Sequence, residues 1–273
     1  MTRDSLLSEE WRSWELRKVE NQYSPSAWAK RPYSEYAARM TSMSALTRLS
    51  LGPGIATERY GKRERNILAI IPPSSRSEMF IWIHGGYWQG SSIDEALMGV
   101  GALVQQGFGF AAVEYSIAPE CSIDQMIAEC ASAIAYVAGK IPAATLYLGG
   151  HSAGAHLALS VASQYSFAGL VLVSGIFDVR PLVRTAINDA LSLDENQAWH
   201  LSPIRDSFPH TSKAEVLVGA EESPSFQAQS QAATQYLLDN GSPASLVQIA
   251  DCDHFDILEN LEHLRSFVRL TGN

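Results

Sequence analysis

The sequence predicts an α/β fold whose centre is a mostly parallel, doubly wound sheet. Three observations predict it: short continuous apolar runs at regular intervals, amphipathic helical stretches between them, and glycines where run and helix meet. Continuous apolar runs suit parallel strands covered on both faces, and strand–helix alternation winds in the right-handed sense. The densest case is 146–158, where Leu146-Tyr147-Leu148 passes through Gly149-Gly150 into small and apolar residues at helical spacing.

The 273 residues read as a single domain, long enough to bury a sizeable core. Hydrophobic and charged contents of 46% and 18% are globular values. A formal net charge of −9, with no basic stripe, speaks against a nucleic-acid partner. Cys121, Cys130 and Cys252 have neither disulfide-framework nor metal-site spacing, and no run is apolar and long enough to span a bilayer. The expectation is a soluble, cytoplasmic protein without metal or membrane contact. Homodimer formation is compatible with the composition and not required by it.

Residues 1–50 read as a helical N-terminal extension, broken at Pro25 and Pro32 and anchored by aromatic residues such as Trp11, Trp14, Tyr23 and Tyr33. Strands follow at Ile67-Leu68-Ala69-Ile70-Ile71, closed by Pro72-Pro73, and at Met79-Phe80-Ile81-Trp82-Ile83. A helix is expected from Leu97 to Gln105, then a strand at Phe110-Ala111-Ala112-Val113. Ser122 can cap the next helix, where Ile123, Met126, Cys130, Ile134 and Val137 recur at three- and four-residue steps. After the strand Leu170-Val171-Leu172-Val173, residues 175–210 interrupt the rhythm and read as a cap insertion. The rhythm returns with a strand at Val216-Leu217-Val218, a helix over Gln227 to Leu238, a strand at Leu246-Val247-Gln248-Ile249 and a final amphipathic helix carrying Ile257, Leu261, Leu264 and Val268.

At the join in 146–158 sits Gly150-x-Ser152-x-Gly154, a nucleophile elbow. So sharp a strand-to-helix turn strains the middle residue and leaves no room for Cβ atoms at the flanking positions. A serine hydroxyl attacks well only when a base takes its proton, and histidine is suited to that near neutrality. His254 lies after the last strand, where the base of such a sheet belongs; His200, His210 and His263 read as solvated or packed side chains. Chain order puts the acid after the strand ending at Val218, which offers Glu221 and Glu222; Asp178, after the preceding strand, is the other candidate. The oxyanion donors are expected to be the amide of Ala153 and those of Gly86 and Tyr87 in the His84-Gly85-Gly86-Tyr87 loop. His84 reads as a brace for that loop. No clustered Cys/His or H-E-x-x-H pattern supports a metal.

Three segments together resemble the animal-type kynurenine formamidases (arylformamidases): His84-Gly85-Gly86-Tyr87-Trp88-Gln89, Gly150-His151-Ser152-Ala153-Gly154-Ala155-His156-Leu157-Ala158, and Asp253-His254-Phe255-Asp256. The likeness also takes in Gln22-Tyr23-Ser24-Pro25-Ser26, Ile117-Ala118-Pro119, Val173-Ser174-Gly175-Ile176 and Glu222-Ser223-Pro224. It implies an α/β-hydrolase fold and hydrolysis of N-formyl-kynurenine to kynurenine and formate, with no cofactor. Ser152 would be the nucleophile, His254 the base and Glu222 the acid. The family carries Asp at that place, and the extra methylene of Glu can still reach an imidazole. Tyr87, Trp88 and the N-terminal aromatic residues are expected to wall the pocket for the aromatic amine. The competing expectations are a small-acyl carboxylesterase with the same machinery, and a silent hydrolase scaffold. Retention of both serine and histidine speaks against the latter.

Overall fold

Strands whose residues are buried on both faces can only sit inside a layered sheet, and the apolar runs of this chain do so except the last, at 246–249, which is largely exposed. A computed structural model describes residues 8–75, 77–98, 100–205 and 213–260. Among these, the strands are β1 (Ala56–Arg59), β2 (Ile67–Ile71), β3 (Glu78–Ile83), β4 (Gly109–Val113), β5 (Thr145–His151), β6 (Gly169–Val173), β7 (Ala214–Gly219) and β8 (Ala244–Ile249). They form one sheet in the order β1-β2-β4-β3-β5-β6-β7-β8. β2 pairs antiparallel with β1 and with β4, and all other pairings are parallel.

The helices are α1 (Leu16–Gln22), α2 (Tyr33–Leu51), α3 (Gly101–Gln105), α4 (Ile123–Lys140), α5 (Ala153–Ala162), α6 (Asn188–Leu191), α7 (Glu195–His200) and α8 (Pro224–Asp239). One core cluster joins the sheet to residues of α4, α5 and α8, among them Met126, Leu157 and Phe226. The other collects Tyr36 and Met40 of α2, Leu103 of α3, and Phe80, Phe110 and Val171 of the sheet. α4 begins with the full capping box, Ser122 accepting from the Gln125 amide and Gln125 from that of Ser122.

Two helices start more than two residues from where the sequence places them. The helix expected from Leu97 begins only at Gly101. The buried Glu114 carboxylate accepts the Ile93 amide at 2.8 Å, and residues 93–98 follow as turns that press Leu97 and Met98 into the core. α8 starts at Pro224, ahead of Gln227, because Ser223 caps it and a proline at the first helical position fits without loss. The final amphipathic helix lies mostly outside the described residues; Asp256–Asn260 form a 3₁₀ turn.

The strand order reverses on either side of β3, which pairs with β4 on one edge and β5 on the other. The crevice beyond the carboxyl ends of the strands opens at such a switch point. The loops after β3, β5, β7 and β8 carry Gly86, Ser152, Glu222 and His254.

Candidate active site

β5 ends at His151 and α5 begins at Ala153, so Ser152 alone makes the corner, with φ 56° and ψ −121°. A non-glycine residue there is strained by roughly 1–3 kcal/mol and persists only when its surroundings fix it. The Ser152 amide donates to the Val173 carbonyl of β6 at 2.8 Å, and its own carbonyl accepts from Ala155 and His156. A Cβ on Gly150 would stand 2.3 Å from the Gly154 carbonyl oxygen, and one on Gly154 would stand 2.1 Å from that of Ile83. The glycines of the pattern are a space requirement.

Glu222 and His254, from the loops after β7 and β8, meet in a buried contact: Nδ1 of the imidazole lies 2.7 Å from Oε2 of the carboxylate. The other carboxylate oxygen, Oε1, accepts from the Ser174 hydroxyl at 2.5 Å and from the Gly219 amide at 2.7 Å. With Oε1 so committed, Oε2 is the acceptor for an Nδ1–H, and Nε2 is left as the basic nitrogen. The two alternative acids are placed differently. Glu221 is exposed, and Asp178 is fully buried against the Arg180 guanidinium at 2.6 Å.

The loop after β3 passes close to the elbow: a Cβ on Gly85 would lie 2.9 Å from the His151 carbonyl and 3.2 Å from Cβ of Ser152. Gly86, Tyr87 and Trp88 all have positive φ (99°, 50° and 58°), and the Gln89 and Gly90 amides close the turn onto the Gly86 carbonyl. Among the described residues, none accepts the amides of Gly86 or Tyr87. Ala153, first in α5, has no acceptor within its helix. His84 braces this loop: its Nδ1 lies 2.9 Å from the Gly85 carbonyl and its ring stacks on Tyr115 at 4.4 Å.

Ser152 and His254 open into a cavity of about 350 Å³. Tyr87 lines it, with its hydroxyl held on the Tyr23 carbonyl. Trp88 does not, contrary to expectation: it is completely buried, edge-on to His156 at 5.0 Å, because its positive φ turns it into the core. The apolar wall comes from Tyr33 and Met40 of α2, from Trp82, and from Phe255 and Leu258. None of the described residues between 175 and 210 lines it. That stretch instead grips the N-terminal extension, Arg180 pairing with Glu9 at 2.6 Å and Arg184 donating to the Trp11 and Trp14 carbonyls.

Two residues without an assigned role bind the site together. His151 is buried beside His254, with ring centroids 4.7 Å apart and Nε2 2.8 Å from the His254 carbonyl. Burial, reinforced by the neighbouring His254, pushes its pKa well below the usual imidazole value, so it stays neutral and can donate. Asp253 accepts from the amides of Lys30, Phe255 and Asp256 at 2.8–3.0 Å and from the Tyr36 hydroxyl. Burial alone would raise its pKa, but these donors outweigh it and hold the carboxyl below its usual range. The N-terminal extension is thereby hooked to the loop bearing His254. His200 caps its own helix with Nδ1 on the Asn196 carbonyl, while His210 and His263 lie outside the described residues. Among the described residues, no group of three or more His, Cys, Asp or Glu side chains is placed to hold a metal ion, and no helix is long and apolar enough to cross a membrane.

The sheet, its order and the elbow at the switch point make this an α/β-hydrolase fold. The BD-FAE family model matches residues 70–255. Kynurenine formamidase of Danio rerio is 35% identical and that of Salmo salar 31%, each over 92% of this chain and 93% of the relative. A crystal structure from a Silicibacter species, described as a candidate thioesterase, superposes with a TM-score of 0.78 at 25% identity, covering 89% of this chain and 94% of the other. The chain belongs to the kynurenine formamidase family and to the BD-FAE family.

Proposed function

We propose that this chain hydrolyses the formamide of N-formyl-kynurenine to kynurenine and formate, with Ser152, His254 and Glu222 as its triad. One observation carries the reading. A carboxylate whose other oxygen is already committed holds the imidazole 2.7 Å away, and that imidazole shares a cavity with a serine in strained elbow geometry.

His254 Nε2 takes the Ser152 proton as Oγ attacks the formyl carbon. Negative charge gathers on the former carbonyl oxygen, where the amides of Gly86, Tyr87 and Ala153 are the donors; one such donor is worth about 3 kcal/mol to the barrier. The tetrahedral adduct collapses as the imidazolium gives its proton to the aryl nitrogen, and the arylamine leaves. Water, deprotonated by Nε2 of His254, attacks the formyl ester, and formate departs as the imidazolium returns its proton to Ser152. A formyl group has no acyl chain to house, so the cavity serves the aromatic amine, with Tyr33, Tyr87 and Phe255 as its aromatic wall. A cytoplasmic setting goes with three buried cysteines, which form no disulfide among the described residues.

A small-acyl carboxylesterase is the second reading, favoured by the fold's likeness to an esterase of Pyrobaculum calidifontis (TM-score 0.69, 15% identity, 94% of this chain and 95% of that one). Comparing kcat/KM on N-formyl-kynurenine and on p-nitrophenyl acetate decides between them. A formamide value below the ester value by tenfold or more refutes the formamidase reading.

A further inference from the structure

We propose that Glu95 forms a subsite for a primary ammonium on the part of the substrate that does not react. The proposal rests on the formamidase reading and adds the charge that the amine product must carry.

Glu95 lines the same cavity as Ser152 and His254, at a wall shared with Tyr33 and Ser91. Among the described lining residues it is the one carboxylate, and no lysine or arginine lines the cavity. Among the described residues no cationic side chain pairs with it; the Ser91 hydroxyl donates to Oε2 at 2.6 Å. The nearby cations are spent elsewhere. Arg65 pairs with the buried Glu114 and donates to the Tyr115 and Ser91 carbonyls, and Arg48 pairs with Asp94 on the outside.

The carboxylate is also held in place beforehand. Its own amide donates to the Ser92 carbonyl at 3.1 Å, and Ala96 donates to Ile93. From behind, Glu114 accepts the Ile93 amide at 2.8 Å while Arg65 fixes Ser91, itself at positive φ (66°). A fixed carboxylate in a half-closed apolar cavity attracts a cation more strongly than one on open surface, and its interaction is screened by salt only in part. The same charge disfavours an anion at that wall. The ligand chemistry that fits is therefore an aryl formamide bearing a protonated amine, with the ring among Tyr33, Tyr87 and Phe255 and the ammonium at Glu95 and Ser91.

The test compares two ortho-acyl formanilides of equal tail length, one ending in a primary ammonium and the other in a methyl group. The readout is the ratio of their kcat/KM values within each variant, so a general loss of folding or chemistry cancels. Wild type should favour the ammonium by about tenfold or more, as expected for a charge-assisted hydrogen bond. Glu95→Gln should bring the ratio to within about threefold of one, Glu95→Asp should retain part of the preference, and the wild-type ratio should fall as salt rises to about 0.5 M. A wild-type ratio near one, or a Glu95→Gln ratio equal to wild type, overturns the proposal. If neither formanilide turns over, the formamidase reading fails, and phenyl acetates carrying the same two tails read Glu95 separately.

Discussion

Glu222→Gln perturbs the proposed triad at one atom, and the site dictates why it should be crippling. In the native arrangement Oε1 receives two hydrogen bonds, from the Ser174 hydroxyl and the Gly219 amide, while Oε2 faces Nδ1 of His254 at 2.7 Å. A glutamine offers one acceptor and one NH2. If its oxygen stays with Gly219, the NH2 faces Nδ1 and forces the proton onto Nε2, where it blocks removal of the Ser152 proton. If the amide flips, two donors meet at Gly219 in a buried pocket, at a cost of about 1–3 kcal/mol. Neither state supplies a negative charge to the imidazolium formed in each half-reaction. A wrong tautomer with intact geometry costs about 10⁴ in turnover, or about 5 kcal/mol of barrier. The assay is kcat on N-formyl-kynurenine with melting temperature as the folding control. Glu222→Asp keeps the charge but not the reach, and should retain partial activity. A Glu222→Gln enzyme with more than a tenth of wild-type kcat would refute this reasoning, as would Asp178→Asn proving the more damaging of the two.

Ser152→Ala and His254→Ala should each lower kcat by several orders of magnitude, and the double variant little further, because such groups act as one unit; kinetics of all three variants check this. Asp178→Asn should lower the melting temperature, since it weakens a buried pair with Arg180, while kcat stays within about tenfold of wild type. The third expectation concerns acid stability. Burial drops the His156 pKa from 6.5 to about 4 with Nε2 on the Leu201 carbonyl, so below pH 6.5 the unfolded chain binds a proton that the folded protein refuses. Stability should therefore fall with pH between 6.5 and about 4, by up to about 3 kcal/mol at about 1.4 kcal/mol per pH unit. His151 adds to the fall with the same sign. In denaturant titrations at stepped pH, His156→Gln should flatten the slope; an unchanged slope would contradict the assignment.

The parts of the site legible in the sequence are those whose physics is local. Gly150, Ser152 and Gly154 are neighbours in the chain, and the turn that demands them is complete within five residues. The strands could be read because burial on both faces leaves no polar alternation, as in β4 and β6. By contrast, Glu221 and Glu222 are adjacent carboxylates, and what separates them is tertiary. Ser174, 48 residues upstream, and the backbone of Gly219 orient Glu222 inward, while Glu221 faces solvent. Tyr87 and Trp88 are likewise adjacent aromatics, yet one lines the cavity and the other is packed in the core. Asp253 meets Lys30 and Tyr36 across separations of 223 and 217 residues, so no local pattern could announce that α2 walls the cavity. The same division runs through the function. The groups proposed to break the bond stand on short turns at strand ends, which short motifs specify. The walls that select a substrate come from α2, the turns at 91–96 and the segment after β8, brought together only by folding. A substitution at Tyr33, Met40 or Glu95 should therefore alter which amine is accepted while leaving the elbow and its histidine in place.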